Sequence, residues 1–196
     1  MQKHVPTLIC FCLALVFSFV SYSTAQSEHF NTYPNLPAPI AEEKILITSA
    51  GQAAENIILL SVAEKLNLEA DYRPRALGTD LYDYNSVVIM LGSSANGLSH
   101  TGRSFQEELS RVSSLIQEAD AADLPVILIN VSAPLRHHVQ TRELFEQIAP
   151  STDYFIGLRS IRNAEFYIQT LRNHSVPVTL ITRLDDIHTP FNAIFR

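Results

Sequence analysis

Beyond position 12 the chain has no cysteine. Its only two, Cys10 and Cys12, lie inside an apolar run that reads as a removable leader. The chain from Gln26 onward therefore offers no disulfide, no thiol nucleophile and no cysteine-based metal site. No run of Lys or Arg occurs anywhere, and the formal net charge is −6. A surface for nucleic acid or an anionic membrane would need a basic patch, so neither partner is expected. No second apolar stretch is long enough to cross a bilayer. Also missing are G-x-G-x-x-G, a P-loop with its lysine, and G-x-S-x-G. Their absence argues against a full dinucleotide site and a nucleophile elbow, and no cofactor is implied.

Among the features present, the first is an export signal. MQKH is a short cationic start, VPTLICFCLALVFSFVSY an apolar core, and Ser23-Thr24-Ala25 a small-residue exit before Gln26. This predicts a signal peptide over residues 1–25, removed on export to the periplasm or outside the cell. A retained anchor is the alternative, since the apolar run of about 18 residues approaches the roughly 20 a bilayer needs. Cys10 and Cys12 sit too early, with no small residue before them, to be an acylated first residue. Losing Lys3 makes the remainder one unit more negative. Residues 26–43, QSEHFNTYPNLPAPIAEE, carry three prolines and no periodicity, and read as an extended leader. His29, Phe30 and Tyr33 would either pack on the body as an arm or belong to a mobile tether. Residues 44–196 form a single domain. A chain of this size buries roughly 70% of its unfolded surface, enough to dispense with disulfides.

The domain is organised around Lys44–Leu66, which reads as a buried strand, a tight turn at Gly51 and a helix. Ile57, Leu60, Val62, Ala63 and Leu66 are its expected packing stripe. Residues 69–73 make a weak edge strand, and residues 74–85 a loop with one helical turn near Asp80–Tyr84. Ser86–Leu91 is the clearest buried strand. It runs into GSSANGLSHTG, a small polar loop from Gly92 to Gly102. A long helix comes next over Ser104–Ala122, with Phe105, Leu109, Val112, Ile116 and Ala119 on its apolar face. Val126–Ile129 is a strand ending at Asn130-Val131-Ser132, and Pro134 suits the first turn of a helix over Leu135–Ala149. A strand at Tyr154–Leu158, a helix Ala164–Arg172 capped by Asn163, a strand in PVTLIT and an irregular or short helical tail complete the chain. Alternating strands and helices imply parallel pairing with right-handed crossovers. The fold class is therefore α/β, a three-layer doubly wound sheet of five or six strands, flavodoxin-like or Rossmann-like. Strand order 2-1-3-4-5 is favoured, with PVTLIT as a sixth.

KILITSAGQAAE, the LGSSANGLSHTG loop with its long helix, and DLPVILINV together resemble a bacterial family of exported proteins, domain-of-unknown-function family 6305. The similarity runs from Lys44 to about Thr182. It implies export and an α/β domain, and transfers no catalytic residue. Arg136-His137-His138 departs from what the resemblance leads one to expect in that turn.

Loops after strand C-termini converge on one edge of such a sheet. Three are small and polar here: Thr48–Gln52, Gly92–Gly97 and Asn130–Ser132. The first enters a helix N-terminus, where unpaired N–H groups and the helix dipole favour an anion. Ser49 and Gln52 would add side-chain bonds; alternatively Ser49 caps the helix and Gly51 only serves the turn. The expected ligand-binding set is Ser49, Gly51, Gln52, Gly92, Ser93, Ser94, Asn96, Gly97, Ser132 and Arg136, the last as a bidentate anchor. Asp71, near the end of the second strand, is weak support for a ribose contact. Ser93, Ser94 and His100 are candidate catalytic residues for a hydrolase or transferase, with His188 and Asp185 or Asp186 as remote partners. Adjacent His137 and His138 point about 100° apart on a helix and cannot chelate one metal together, so no metal site is expected. Asp185-Asp186 reads equally as a capping turn. The sequons at Asn130 and Asn173 carry little meaning if the source is bacterial, and Asn130 is expected at a strand end. The expected function is thus binding of a small polar or anionic ligand at the loops after the first and third strands. The alternatives are a serine-dependent enzyme and a protein-interaction module.

Overall fold

Continuous apolar runs become strands buried on both faces. A computed structural model describes residues 35–132, 139–161 and 163–196, all within one unit spanning Asn31–Arg196. Six strands form one parallel sheet: β1 Ile45–Ala50, β2 Ala70–Tyr72, β3 Ser86–Leu91, β4 Val126–Asn130, β5 Tyr154–Leu158 and β6 Val178–Ile181. Their order is β2-β1-β3-β4-β5-β6, the expected flavodoxin-like arrangement with the sixth strand added. Every residue of β1 and β3 is buried, and the two pair in register from Ile45 opposite Ser86 to Ala50 opposite Leu91.

Side chains alternate across the sheet, so each strand feeds two cores. Ile45, Ile47, Val88, Met90, Ile127, Ile129 and Ile156 face α1 (Ile57–Lys65) and the C-terminal segment. Leu46, Val87, Ile89, Leu128 and Phe155 face α3 (Phe105–Ala121), α4 (Val139–Ile148) and α5 (Ala164–Asn173). Between α4 and α5, Phe145 meets Tyr167 edge-on with ring centroids 4.5 Å apart, a favoured aromatic geometry. Among the described residues, the first face has only one crossover helix. Its gap is closed by a 3-10 turn, Leu184–Ile187, a short helix, α6 (His188–Asn192), and the residues after it, which bury Ile187, Phe191 and Ile194.

Four expectations need correction. A 3-10 turn at Ala54–Asn56 delays the first helix and rotates its stripe. The buried residues are Leu59, Val62 and Ala63, whereas Ile57 is 60% exposed and Leu60 and Leu66 are half-buried. The Gly92–Gly102 loop contains a helix, α2 (Ala95–Thr101), capped by the Ser94 hydroxyl and ended by Gly102 at φ 67°. A hydroxyl N-cap and a left-handed glycine are its sequence signature. Asn163 holds the N-cap position of α5 in a left-handed conformation (φ 60°), without a side-chain bond to the helix end. The long helix buries Glu108, Arg111 and Leu115, while Phe105 and Leu109 are only half-buried. The loop before β3 holds a 3-10 helix, Gly78–Asp83, as its one expected turn. Residues 1–34 and 133–138, with the signal segment, the aromatic arm, Arg136 and both adjacent histidines, lie outside the described residues. Among the described residues no helix is long and apolar enough to cross a membrane.

Candidate functional site

The sheet order reverses between β1 and β3, and their C-terminal ends carry the first two polar loops. In a doubly wound sheet this is the crevice where ligands bind. Here the loops lock onto one another. Gln52 and Ser93 form an antiparallel bridge. Ser94 N donates to Gly51 O at 2.8 Å, Gly92 N to Ala50 O at 2.9 Å and Ala53 N to Gly92 O at 3.1 Å. The close approach needs glycine: a Cβ on Gly51 would stand 2.5 Å from Gly92 O, and one on Gly97 would run into Gln52 O. Two successive residues, Gly51 at φ 98° and Gln52 at φ 59°, are left-handed. For glutamine that conformation is uncommon and is held only when its surroundings enforce it.

The enforcing group is a carboxylate from α3. Glu108, fully buried, accepts from Gly51 N at 3.0 Å and Gln52 Nε2 at 3.0 Å on one oxygen. The same oxygen accepts from Arg111 Nη2 at 2.8 Å, and its other oxygen from Arg111 Nε at 2.9 Å. Arg111 is itself only 6% exposed. Its remaining donors reach Ser49 O and, at 2.6 Å, Ala76 O, while Gln52 Nε2 also donates to Pro74 O at 2.9 Å. Burial alone would raise the Glu108 pKa. The Arg111 bonds and charge, the Gln52 amide and the Gly51 N–H outweigh it and hold the carboxyl below its ordinary value. The N–H and amide expected to receive a ligand anion thus hold an anion from the protein itself.

The other expected residues divide between scaffold and rim. Ser49 Oγ accepts from Gln52 N at 2.9 Å, so it caps the turn; the helix start is Ala53, without a side-chain cap. Ser93 is buried, donating its hydroxyl to Gln140 Oε1 at 2.9 Å and its N–H to Thr141 Oγ1 at 3.0 Å. Ser132 Oγ donates to Leu91 O at 3.0 Å, and a Cβ on Gly92 would meet that hydroxyl. Ser94, half-buried, accepts from Gly97 N at 3.1 Å. Asn96 and His100 are exposed, and the His100 ring donates through Nδ1 to Asn96 O at 2.7 Å. Both serine hydroxyls therefore have partners other than His100. Asp71 accepts from Tyr84 Oη at 2.7 Å, and His188 Nδ1 donates to Asp185 O at 2.9 Å. Asp186 accepts from Arg183 N at 2.8 Å as the cap of the closing turn. Among the described residues no three His, Cys, Asp or Glu side chains stand together as a metal site.

Glu108, Arg111, Gln140 and Thr141 escaped the sequence reading. The signal was there for the first two: residues 108, 111, 115 and 119 share one helical phase with buried Leu115 and Ala119. Charges on that phase read as a solvated face unless a partner is foreseen. No curated protein and no solved structure matches the chain. The family model described as Domain of unknown function (DUF6305) matches residues 42–195, and the chain belongs to that family.

Proposed function

We propose that this domain is a binding module without chemistry of its own, which seats a small polar ligand on the outer rim of the β1/β3 crevice. Ser94, Asn96 and Gly97 form the rim, with Gln52 and Ser93 beneath them as a fixed floor. The observation that carries the reading is the left-handed Gly51-Gln52 turn held by a buried ion pair at the switch point of the sheet. A buried ion pair is a poor source of stability compared with apolar packing, and non-glycine residues with positive φ gather where a loop must be held for a ligand. Positioning explains both features. A serine-dependent reaction is less favoured, because the Ser93 and Ser94 hydroxyls are engaged by Gln140 and by the α2 cap.

A thermal-shift screen of sugars, amino acids, nucleosides and polyols tests the proposal, since a ligand that prefers the folded state raises its melting temperature. The expected result is a saturable rise that Asn96→Ala abolishes without changing the melting temperature of the free protein. A rise of equal size in Asn96→Ala, or none across the screen, would overturn it.

A second reading, a protein-docking edge, is supported by Ile57 and Val139, 60% and 81% exposed in the first turns of α1 and α4 at the same end of the sheet. It predicts that Ile57→Ser with Val139→Ser removes cross-linked partners from native extracts and leaves small-ligand shifts intact. Export is proposed too, on the leader pattern of residues 1–25. N-terminal sequencing of secreted material should begin at Gln26; an intact Met1 in that material would count against cleavage.

A further inference from the structure

Four donors converge on the two oxygens of Glu108: the Gly51 N–H, the Gln52 amide, and Nε and Nη2 of Arg111. They come from the turn after β1 and from α3. Neutral amides and a guanidinium fork around one buried carboxylate make a carboxylate receptor. That receptor is filled by a side chain reaching from the first turn of a neighbouring helix. We propose that Glu108 is the resident anion of this crevice and its specificity-determining residue. While it is in place, carboxylate and phosphate ligands are refused at the Gly51 turn, and the rim takes uncharged polar groups. Without it, the turn becomes a site for a small free carboxylate.

Three observations support this. First, the donors are aimed at Glu108 and not at solvent: the carboxylate has no exposed surface and the Arg111 side chain is only 3% exposed. Second, Arg111 is anchored independently of the carboxylate by Ser49 O and Ala76 O, so its charge stays when the glutamate goes. Third, the turn is tied to β3 through Ser94 N to Gly51 O and Ala53 N to Gly92 O, so the receptor keeps its walls. A second anion beside Glu108 would find the Arg111 charge already neutralised and the Gly51 and Gln52 donors already engaged, so it would be buried without compensation. This deepens the binding proposal above by naming the ligand class the edge excludes. It needs no native ligand for its test, so the two fail separately.

The test is chemical rescue of Glu108→Ala, which leaves a vacancy the size of a short carboxylate. Melting temperatures are recorded in sodium formate, acetate and phosphate against sodium chloride at equal ionic strength. Formate or acetate at ten times its dissociation constant should raise the variant by about 3–6 °C over chloride. Phosphate, which is larger and tetrahedral, should do less. The double variant Glu108→Ala with Arg111→Met should lose the response, and the wild type should show none. If Glu108→Ala does not fold in chloride, refolding from urea in formate should recover it. A variant that gains nothing from formate, or stays unfolded in it, overturns the proposal. So does a saturable shift of the wild-type Gly51 amide resonance on adding formate or phosphate.

Discussion

Replacing Glu108 by glutamine keeps the side-chain volume and removes the charge, so its cost measures what the carboxylate does for the turn. In the native protein one oxygen accepts three donors and the other one, at 2.8 to 3.0 Å. In the variant the amide NH2 would face at least one of those donors, and Arg111 would stay buried without a counter-charge. Breaking a buried pair from one side costs about 3–5 kcal/mol. With a urea dependence of about 2 kcal/mol per molar for a domain of this size, the unfolding midpoint should fall by roughly 1.5–2.5 M. Changing both partners to apolar residues of similar volume, Glu108→Leu with Arg111→Met, should return most of the loss, since no uncompensated charge remains. Urea unfolding monitored by circular dichroism reads both. A single-variant shift below about 0.5 M would refute the argument that the pair is tightly coupled to the turn. The pH dependence has a defined sign. The folded pKa of Glu108 lies below its ordinary value of 4.5, so its contribution is present above that value and is lost as pH falls through the lower folded pKa. The glutamine variant should lack this acid-side component.

The packing makes three more outcomes testable. Gly97→Ala gains up to about 1 kcal/mol of helix propensity in α2, but its Cβ collides with Gln52 O. The net should be a loss of about 1–3 kcal/mol in urea unfolding; a stabilised variant would show that α2 does not press on the turn. The Thr48 hydroxyl is fully buried in β1 with no hydrogen-bond partner among the described residues, so Thr48→Val should stabilise the domain by about 1–2 kcal/mol, and a loss would contradict this. Tyr84 is pushed up to about 12 by burial and by its bond to Asp71. Its stabilising effect is present below pH 10 and is lost as pH rises through about 12. Burial also raises Tyr154 and Tyr167, so phenolate absorbance should show a late-titrating component in the folded protein but not in urea, smaller by one tyrosine in Tyr84→Phe.

The strands were readable because β1, β3, β4 and β5 are buried on both faces and spell continuous apolar runs bounded by polar turns. Ser86–Leu91 and Tyr154–Leu158 stand where those runs place them. The sheet order comes from alternating strands and helices, which allow few topologies. Helix phase was less legible. The 3-10 turn before α1 put Leu59 in the core in place of Ile57, while Val62 and Ala63 stayed on the expected stripe, and nothing in AAENIILL marks that change. The site was half legible. Ser49, Gly51, Gln52, Ser93 and Ser132 do meet at one edge, as loops after parallel strands must. Their roles were not legible, because what they bond lies far away in sequence: Glu108 is 57 positions from Gly51, and Thr141 is 48 from Ser93. The helical phase of Glu108 marks it as buried, but a single sequence does not pair it with the donors of the Gly51 turn.

That the Gly51 turn already holds its anion is open to one direct measurement. An NMR titration from neutral pH to pH 2 tracks the Glu108 side-chain carboxyl carbon together with the Gly51 amide. Both should move together at a pH below 4.5, as protonation releases the amide. A Glu108 carboxyl that titrates above that value, or a Gly51 amide that ignores its titration, would contradict the account.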